Sequence, residues 1–147
     1  MRFMIIVKAT RDSEAGVMPE EALMARMGKY HEELARAGLL VDASGLKPTA
    51  HGWRVHYEGD RASVVDGPFA ETKELVAGYT IIEAESRAQA LEWTRRFPNP
   101  AVDGGRGEIE VRPFYELEDF ARGPAVDGFR ELQKNFTRRT RAEARRE

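Results

Sequence analysis

The sequence of 147 residues contains no cysteine. Disulfide bonds, thiolate metal sites and cysteine nucleophiles are therefore excluded, and this composition suits a protein of the cytoplasm. Long apolar runs are also missing, because no segment approaches the roughly 18 consecutive apolar residues that a membrane-spanning helix needs. The apolar part of the N-terminal MRFMIIVKAT is too short for a signal peptide and is typical of a first strand. We therefore expect a cytoplasmic globular protein without a membrane segment.

Neither sign of charge dominates the chain, whose formal net charge is −2. The distribution is uneven, because residues 130–147 hold seven Lys or Arg and three Glu, which leaves −6 on the rest. A basic tail can contact nucleic acid, but acidic residues interrupt this one and Phe136 is its single aromatic residue. We interpret the tail as a helix that is solvated or wraps around a dimer partner, and the pattern disfavours nucleic-acid binding.

Hydrophobic periodicity predicts the order β-α-β, an inserted β-hairpin and a second β-α-β. The helix that follows Pro19 is the clearest element, because its apolar residues recur at helical spacing up to Gly38, which can supply a left-handed cap. In the hairpin, Trp53, Val55 and Tyr57 alternate with polar residues and form one face. The predicted strands are 2–9, 39–46, 53–58, 61–66, 79–84 and 107–114, and a second helix runs from Ser86 to Phe97.

A strand, a helix and a strand, repeated once, predict an α+β fold of the ferredoxin-like βαββαβ type. Its sheet should be mixed or antiparallel, with both helices on one face. The other face needs a partner, because Phe3, Ile5 and Val7 or their neighbours would otherwise contact water. We therefore expect a homodimer that forms through the sheet faces. The domain should span 1–114, and the extension at 115–147 should be helical and peripheral.

His31 is the side chain best suited to proton transfer, because imidazole ordinarily changes its charge near neutral pH. It follows Met27 by one helical turn and precedes Leu34 by three residues, on the apolar face of the predicted helix. This spacing leaves two roles open, a core histidine that bonds a backbone carbonyl and a general acid or base. His51 in a turn and His56 on the polar face of a strand complete no ligand motif, so we expect neither a metal site nor a cofactor.

The segment 66–74 reads DGPFAETKE and belongs to a connector much longer than an ordinary hairpin turn. If Val64 faces the core, Asp66 points to the same side at the rim of the sheet. The glycine permits a close backbone approach, the proline stiffens the exit, and the phenylalanine can anchor the loop in the core. The charges that follow can pair with one another or with a partner subunit. The residue types leave two interpretations open, an anchored turn with solvated charges and one wall of a pocket. The residues that would line the pocket are Gly67, Pro68, Phe69, Glu71, Lys73 and Glu74.

DGPFAETKE resembles the signature of the YCII-related family, in its DGPF subgroup. The family is related to the dimeric α+β barrels, which are built from ferredoxin-like units. The resemblance covers roughly residues 1–113 and does not extend to the tail. The other matching motifs are the MRFMIIVKA opening, KYHEEL with AGLL after it, GYTII, ALEW and the closing EVRPF.

In this family a histidine of the first helix and the aspartate of the DGPF run are regarded as an active-site pair, which implies His31 and Asp66 here. A carboxylate bonded to an imidazole fixes its tautomer and leaves the other nitrogen as a general acid or base. The resemblance thus implies a cofactor-free lyase or isomerase that acts on a small molecule by proton transfer.

Two other classes of function stay open. Members of the family are often encoded beside extracytoplasmic-function sigma factors, which implies a non-catalytic metabolite-binding or regulatory module as the alternative. A structural dimer, in which His31 and Asp66 form a buried polar lock, is the third hypothesis. An enzyme needs a free imidazole nitrogen beside an open cleft, whereas a structural histidine has both nitrogens bonded.

Overall fold

The computed structural model describes residues 1–71 and 73–143. They form two compact units, the first spanning Met1–Phe114 and the second beginning at Tyr115. The extension at 115–147 was predicted to be helical, and its helix α4 runs over Pro124–Glu143. Residues 144–147 lie outside the described residues. The first unit contains β1 (Arg2–Lys8), α1 (Arg11–Glu14), α2 (Glu21–Arg36), β2 (Leu40–Gly45), β3 (Trp53–Glu58), β4 (Arg61–Asp66), β5 (Val76–Glu83), α3 (Arg87–Arg95) and β6 (Ile109–Pro113).

Four strands form the main sheet in the order β2, β5, β1, β6. Each neighbouring pair among the described residues is antiparallel. The predicted α+β class is therefore confirmed, and the arrangement is consistent with a ferredoxin-like βαββαβ unit. Strand β5 begins at Val76, three residues before the prediction, because Val76 pairs with Lys8 beyond an irregularity next to Val7.

The core lies between one face of this sheet and the helices α2 and α3. Ile5, Ile82 and Leu34 are completely buried there, and Tyr30 and Ala90 add contacts from the two helices. Burying such an aliphatic side chain contributes about 1.5–3 kcal/mol relative to leaving it exposed. Because side chains alternate along a strand, the neighbouring residues of β1 and β5 point to the opposite face of the sheet.

Local signals place the helix ends close to the predicted positions. Gly38 has a φ of 74° after α2, as expected for a left-handed cap. The Ser86 side chain accepts a hydrogen bond from the Gln89 amide at the start of α3. The short helix α1 was not predicted, because four residues are too few for a periodic pattern, although Thr10 and Ser13 cap it reciprocally.

Strands β3 and β4 form a separate two-stranded sheet with Val55 opposite Val64. The condition that Val64 faces the core is not met, because this side chain is 65% exposed. Asp66 shares that face of the hairpin and is exposed as well. The alternation along the strand predicted correctly which residues share a face, but a two-stranded sheet can expose both faces, so the pattern did not locate the core.

Candidate functional site

His31 has a hydrogen-bond partner at each ring nitrogen. Nδ1 lies 2.7 Å from the carbonyl oxygen of Met27, and Nε2 lies 2.8 Å from Oγ1 of Thr80. A carbonyl oxygen can only accept, so Nδ1 carries the proton. In the neutral imidazole Nε2 is then the acceptor, and the Thr80 hydroxyl donates to it. The local geometry therefore selects the Nδ1–H tautomer and joins helix α2 to strand β5.

The surroundings of this imidazole are mostly aromatic and apolar. The rings of Tyr30 and Phe97 contact His31 edge to face, with centroids 5.5 and 6.2 Å away. Thr80 is only 2% exposed, so its hydroxyl must find a partner inside the protein. Beside His31, burial raises the pKa of Tyr30 to about 12. The Tyr30 hydroxyl donates a hydrogen bond to the carbonyl of Trp93. The histidine thus belongs to a packed helix–sheet contact.

Asp66 lies elsewhere, at the end of β4, where it is opposite Trp53. No hydrogen bond or ion pair joins Asp66 to His31, and both imidazole nitrogens already have other partners. The Asp66 residue is exposed to solvent. Within one chain the two residues of the predicted pair are therefore not brought together.

The loop after Asp66 is tied down by close backbone contacts. The Gly67 amide donates to the carbonyl of Gly52 at 2.9 Å. A Cβ atom at position 67 would lie 1.8 Å from the carbonyl oxygen of Thr49, which no side chain tolerates. The Gly67–Pro68 peptide is cis. Glycine at this position is thus required by the approach of two backbone segments.

The phenylalanine of the loop does not reach the core cluster. Phe69 is half-buried, and the Arg54 guanidinium stacks on its ring at 3.7 Å from the centroid. Arg54 also pairs with Glu71 at 3.5 Å, an exposed contact of small energetic value. Lys73 and Glu74 are exposed. Leu75, which was not among the predicted pocket residues, is buried with 5% exposure.

Glu14 and Thr49 connect this loop to the short helix α1. The Glu14 carboxylate accepts hydrogen bonds from the Thr49 hydroxyl at 2.7 Å and from the Thr49 amide at 3.2 Å. The same hydroxyl oxygen accepts from the Phe69 amide at 3.1 Å. Helix α1, the turn before β3 and the loop therefore meet at Thr49. Sequence reasoning missed both residues, because they are 35 positions apart and belong to no motif.

A second group of polar side chains lies on the sheet face that points away from the core. The Tyr79 hydroxyl donates to Oδ2 of Asp42 at 3.0 Å, and Oδ1 accepts from the Ala43 amide at 2.8 Å. This hydrogen bond, together with the negative charge of Asp42, raises the pKa of Tyr79. Ile81 follows Tyr79 on the same face, opposite Asp42 in β2. The alternation of YTIIE could have indicated this face, since Tyr79 and Ile81 are two residues apart.

We use the name uncovered sheet face for Met4, Ile6, Tyr79 and Ile81 together with Asp42, in the sense that α2 and α3 lie on the other face. Met4 and Ile6 extend its apolar part from β1 and are half-buried. At its edge Lys8 pairs with Glu110 of β6 at 3.6 Å. In residues 1–71 and 73–137 no group of three or more His, Asp or Glu side chains is arranged to hold a metal ion. No helix within these ranges has the length and apolarity to cross a membrane.

The antiparallel sheet, the two helices on one face and the anchored glycine–proline loop define a small ferredoxin-like α+β domain. A family model described as the YCII-related domain matches residues 1–117. The chain therefore belongs to the YCII-related family, as its motifs indicated. It is also similar to a protein of Rhizobium meliloti (strain 1021) named "Uncharacterized protein R00369", with 32% identity over 94 residues, which cover 64% of this chain and 74% of that protein.

Gly67→Ala should destabilise the protein by about 2 kcal/mol or more, because the added methyl group must displace the Thr49 backbone. Gly45→Ala is the matched control, since a Cβ atom there has nothing within 4 Å and needs no unusual φ. Urea unfolding of both variants measures the difference. Equal stabilities would contradict the close approach of residues 49 and 67.

Proposed function

We propose that this YCII-related protein, of the DGPF subgroup, is a cytoplasmic homodimer that binds a small organic molecule at the uncovered sheet face. The observation that carries the proposal is the Tyr79–Asp42 hydrogen bond beside the apolar side chains of Met4, Ile6 and Ile81. Ligand sites combine apolar walls with a few oriented polar groups in this way. In this proposal the protein binds its ligand without turning it over.

The chemistry of the polar pair restricts the ligand. The Tyr79 hydroxyl uses its proton on Asp42, so its oxygen and the remaining carboxylate lone pairs can only accept. A ligand that satisfies them must bring N–H or O–H donors, and a positive charge would strengthen the contact. Its other end must be apolar to cover Ile81 and its neighbours. An aromatic or aliphatic amine meets both requirements.

We propose that dimerisation also uses this face. Met4, Ile6 and Ile81 form an apolar group on a sheet face opposite the core, and such a group is stabilised when a second surface covers it. A two-fold axis lets the same face of another copy provide that cover. Two facing sheets enclose a layer between them, and the Tyr79–Asp42 pair would lie at its rim. If the ligand has a regulatory role, its binding would also change the affinity of this protein for a partner protein.

The second candidate is proton-transfer catalysis by a cofactor-free lyase or isomerase. His31 would act as general acid or base with Asp66 as its carboxylate. The residues that would shape the pocket are Gly67, Pro68, Phe69, Glu71, Lys73 and Glu74. One observation favours it, because Nε2 of His31 bonds a hydroxyl, and a hydroxyl can pass on a proton whereas a carbonyl cannot. The reaction would require Asp66 and the substrate to reach an imidazole whose nitrogens are both occupied.

The amine specificity can be tested with two probes that share a phenyl group. Phenethylamine should shift the amide NMR signals of Tyr79, Ile81 and Asp42, whereas phenylacetate, which offers only acceptors, should not. Asp42→Asn should weaken phenethylamine binding about tenfold through the lost charge. Equal binding of both probes, or shifts confined to other regions, would contradict the proposed site.

Ile6→Lys should shift the dimer toward monomer, because it places two related positive charges in the contact between sheets. Met24→Lys is the control, since Met24 is 53% exposed on α2, away from that face. Sedimentation velocity of the two variants and the wild type gives the masses. A dimer that persists unchanged in Ile6→Lys would show that the uncovered sheet face is not the contact.

The role of His31 can be read from its two ring-nitrogen NMR signals. We expect the neutral Nδ1–H pattern, with an Nε2 signal that moves in Thr80→Val because the donating hydroxyl is gone. Asp66→Asn should leave both signals where they are. If Asp66→Asn moves them and Thr80→Val does not, the catalytic pair is supported and the binding proposal without turnover loses its basis.

A further inference from the structure

The β3–β4 hairpin is amphipathic, with one continuous apolar face. Opposed residues share a face, so the pairs Val55–Val64 and Tyr57–Ala62 join Trp53 on the same side. Trp53 is 67%, Tyr57 78% and Val64 65% exposed. We call these five residues, together with Asp66 opposite Trp53 at one end, the apolar hairpin face. Two exposed aromatic rings on one face of a strand pair, with two valines between them, are typical of a surface that another surface covers.

The reverse side of the same hairpin has a different character. It carries charged and polar groups that suit water, apart from one valine, and at its base Arg54 stacks on Phe69. A sheet with one polar and one apolar face ordinarily packs its apolar face against protein. A two-stranded hairpin is also at best marginally stable alone in water. The residues of this polar side are Arg54, His56, Glu58, Arg61, Ser63 and Val65.

We propose that the apolar hairpin face packs against the same face of a second copy of this chain, antiparallel and about a two-fold axis. The face is self-complementary along its length. Its charged side chain, Asp66, lies at one end, opposite Trp53, and the Tyr57 hydroxyl lies at the other end. Four residues of strand separate the two ends, about 13 Å.

In the antiparallel arrangement the two ends meet twice. The Tyr57 hydroxyl donates to Asp66 of the second copy, and the reciprocal bond forms on the other side of the axis, with Val55 and Val64 at the centre. A hydrogen bond to a carboxylate is stronger than one between neutral groups. The arrangement gives the exposed Asp66 carboxylate a partner other than His31. A parallel arrangement would place the two Asp66 carboxylates together and is disfavoured by repulsion.

The area of the face agrees with a contact between proteins. An aromatic side chain buries about 150–250 Å² when it is covered. The two rings and two valines therefore supply a large share of the about 800 Å² that each partner contributes to a standard interface. Asp66 is the one charged residue on this face and Lys and Arg are absent from it, which disfavours nucleic acid and anionic membrane surfaces as occupants.

The chain offers a closely matched pair of variants for the test. Val64 and Val65 are neighbours of the same type, 65% and 46% exposed, and lie on opposite faces of one strand. Val64→Lys should raise the dissociation constant of the assembly about tenfold or more, because two unpaired ammonium groups would meet at the axis. Val65→Lys should behave like the wild type. Sedimentation velocity over a dilution series measures the constants.

Two further readouts identify the contact. Trp53 should be protected from acrylamide quenching in the assembly and accessible in Val64→Lys, with the Trp93 signal subtracted by use of Trp53→Phe. Tyr57→Phe removes the donor of the proposed hydrogen bond and Asp66→Ala removes its acceptor, so the two changes should weaken association non-additively. Equal dissociation constants for the two lysine variants, a freely quenched Trp53 in the wild type, or additive effects would each overturn the proposal.

Two lysine variants separate the hairpin contact from the contact proposed at the uncovered sheet face. Ile6→Lys reports on that face, and Val64→Lys reports on the hairpin. A chain in which Val64→Lys weakens assembly and Ile6→Lys does not would support the hairpin contact and remove the sheet contact. The opposite pattern would overturn the hairpin contact alone.

Discussion

The buried hydroxyl of Thr80 is the constraint on which the main domain depends. It lies on the central strand β5, beneath α2, where water does not reach it, and His31 is the group that satisfies it. The other nitrogen of this imidazole, Nδ1, donates a hydrogen bond to the backbone carbonyl of Met27 in α2. One side chain thus links the helix to the sheet by hydrogen bonds, in addition to the apolar contacts of the core that contains Ile5, Leu34 and Ile82. This histidine therefore joins two elements of the fold, and its use in proton transfer stays a prediction.

The DGPF loop illustrates how a conspicuous motif can have its explanation in backbone packing. Gly67 is needed because the Thr49 backbone passes too closely for any side chain. Thr49 in turn is held by Glu14 and bonds the Phe69 amide, so the loop, the turn before β3 and helix α1 are fastened together. Each of these contacts leaves Asp66 at the surface. The motif therefore shapes the base of the hairpin, and its aspartate is available to a partner.

Two surfaces of the first unit combine apolar and polar groups in a way that suits assembly and ligand binding. The uncovered sheet face has Ile81 and its neighbours beside the Tyr79–Asp42 bond, and the apolar hairpin face has Trp53 and Tyr57 with Asp66 at one end. Both belong to strands whose other side has a clear role, in the core for β5 and in solvent for β3. The amphipathic alternation of the strands thus links the fold to its proposed partners, a second copy and a small amine.

The sequence by itself determined the α+β class, the strand and helix order and the alternation of faces, because periodicity and the residues at helix ends, such as Gly38 and Ser86, act over a few neighbouring positions. It also determined the family, through motifs that span the first unit. Only the tertiary structure decided which face each pattern turned inward and which distant groups met. Val64 alternates like a core residue and is exposed, while His31 found Thr80, 49 positions away, instead of Asp66. Burial and long-range hydrogen bonds depend on how elements pack, and that arrangement is set by all their contacts together, so a local pattern could not reveal it.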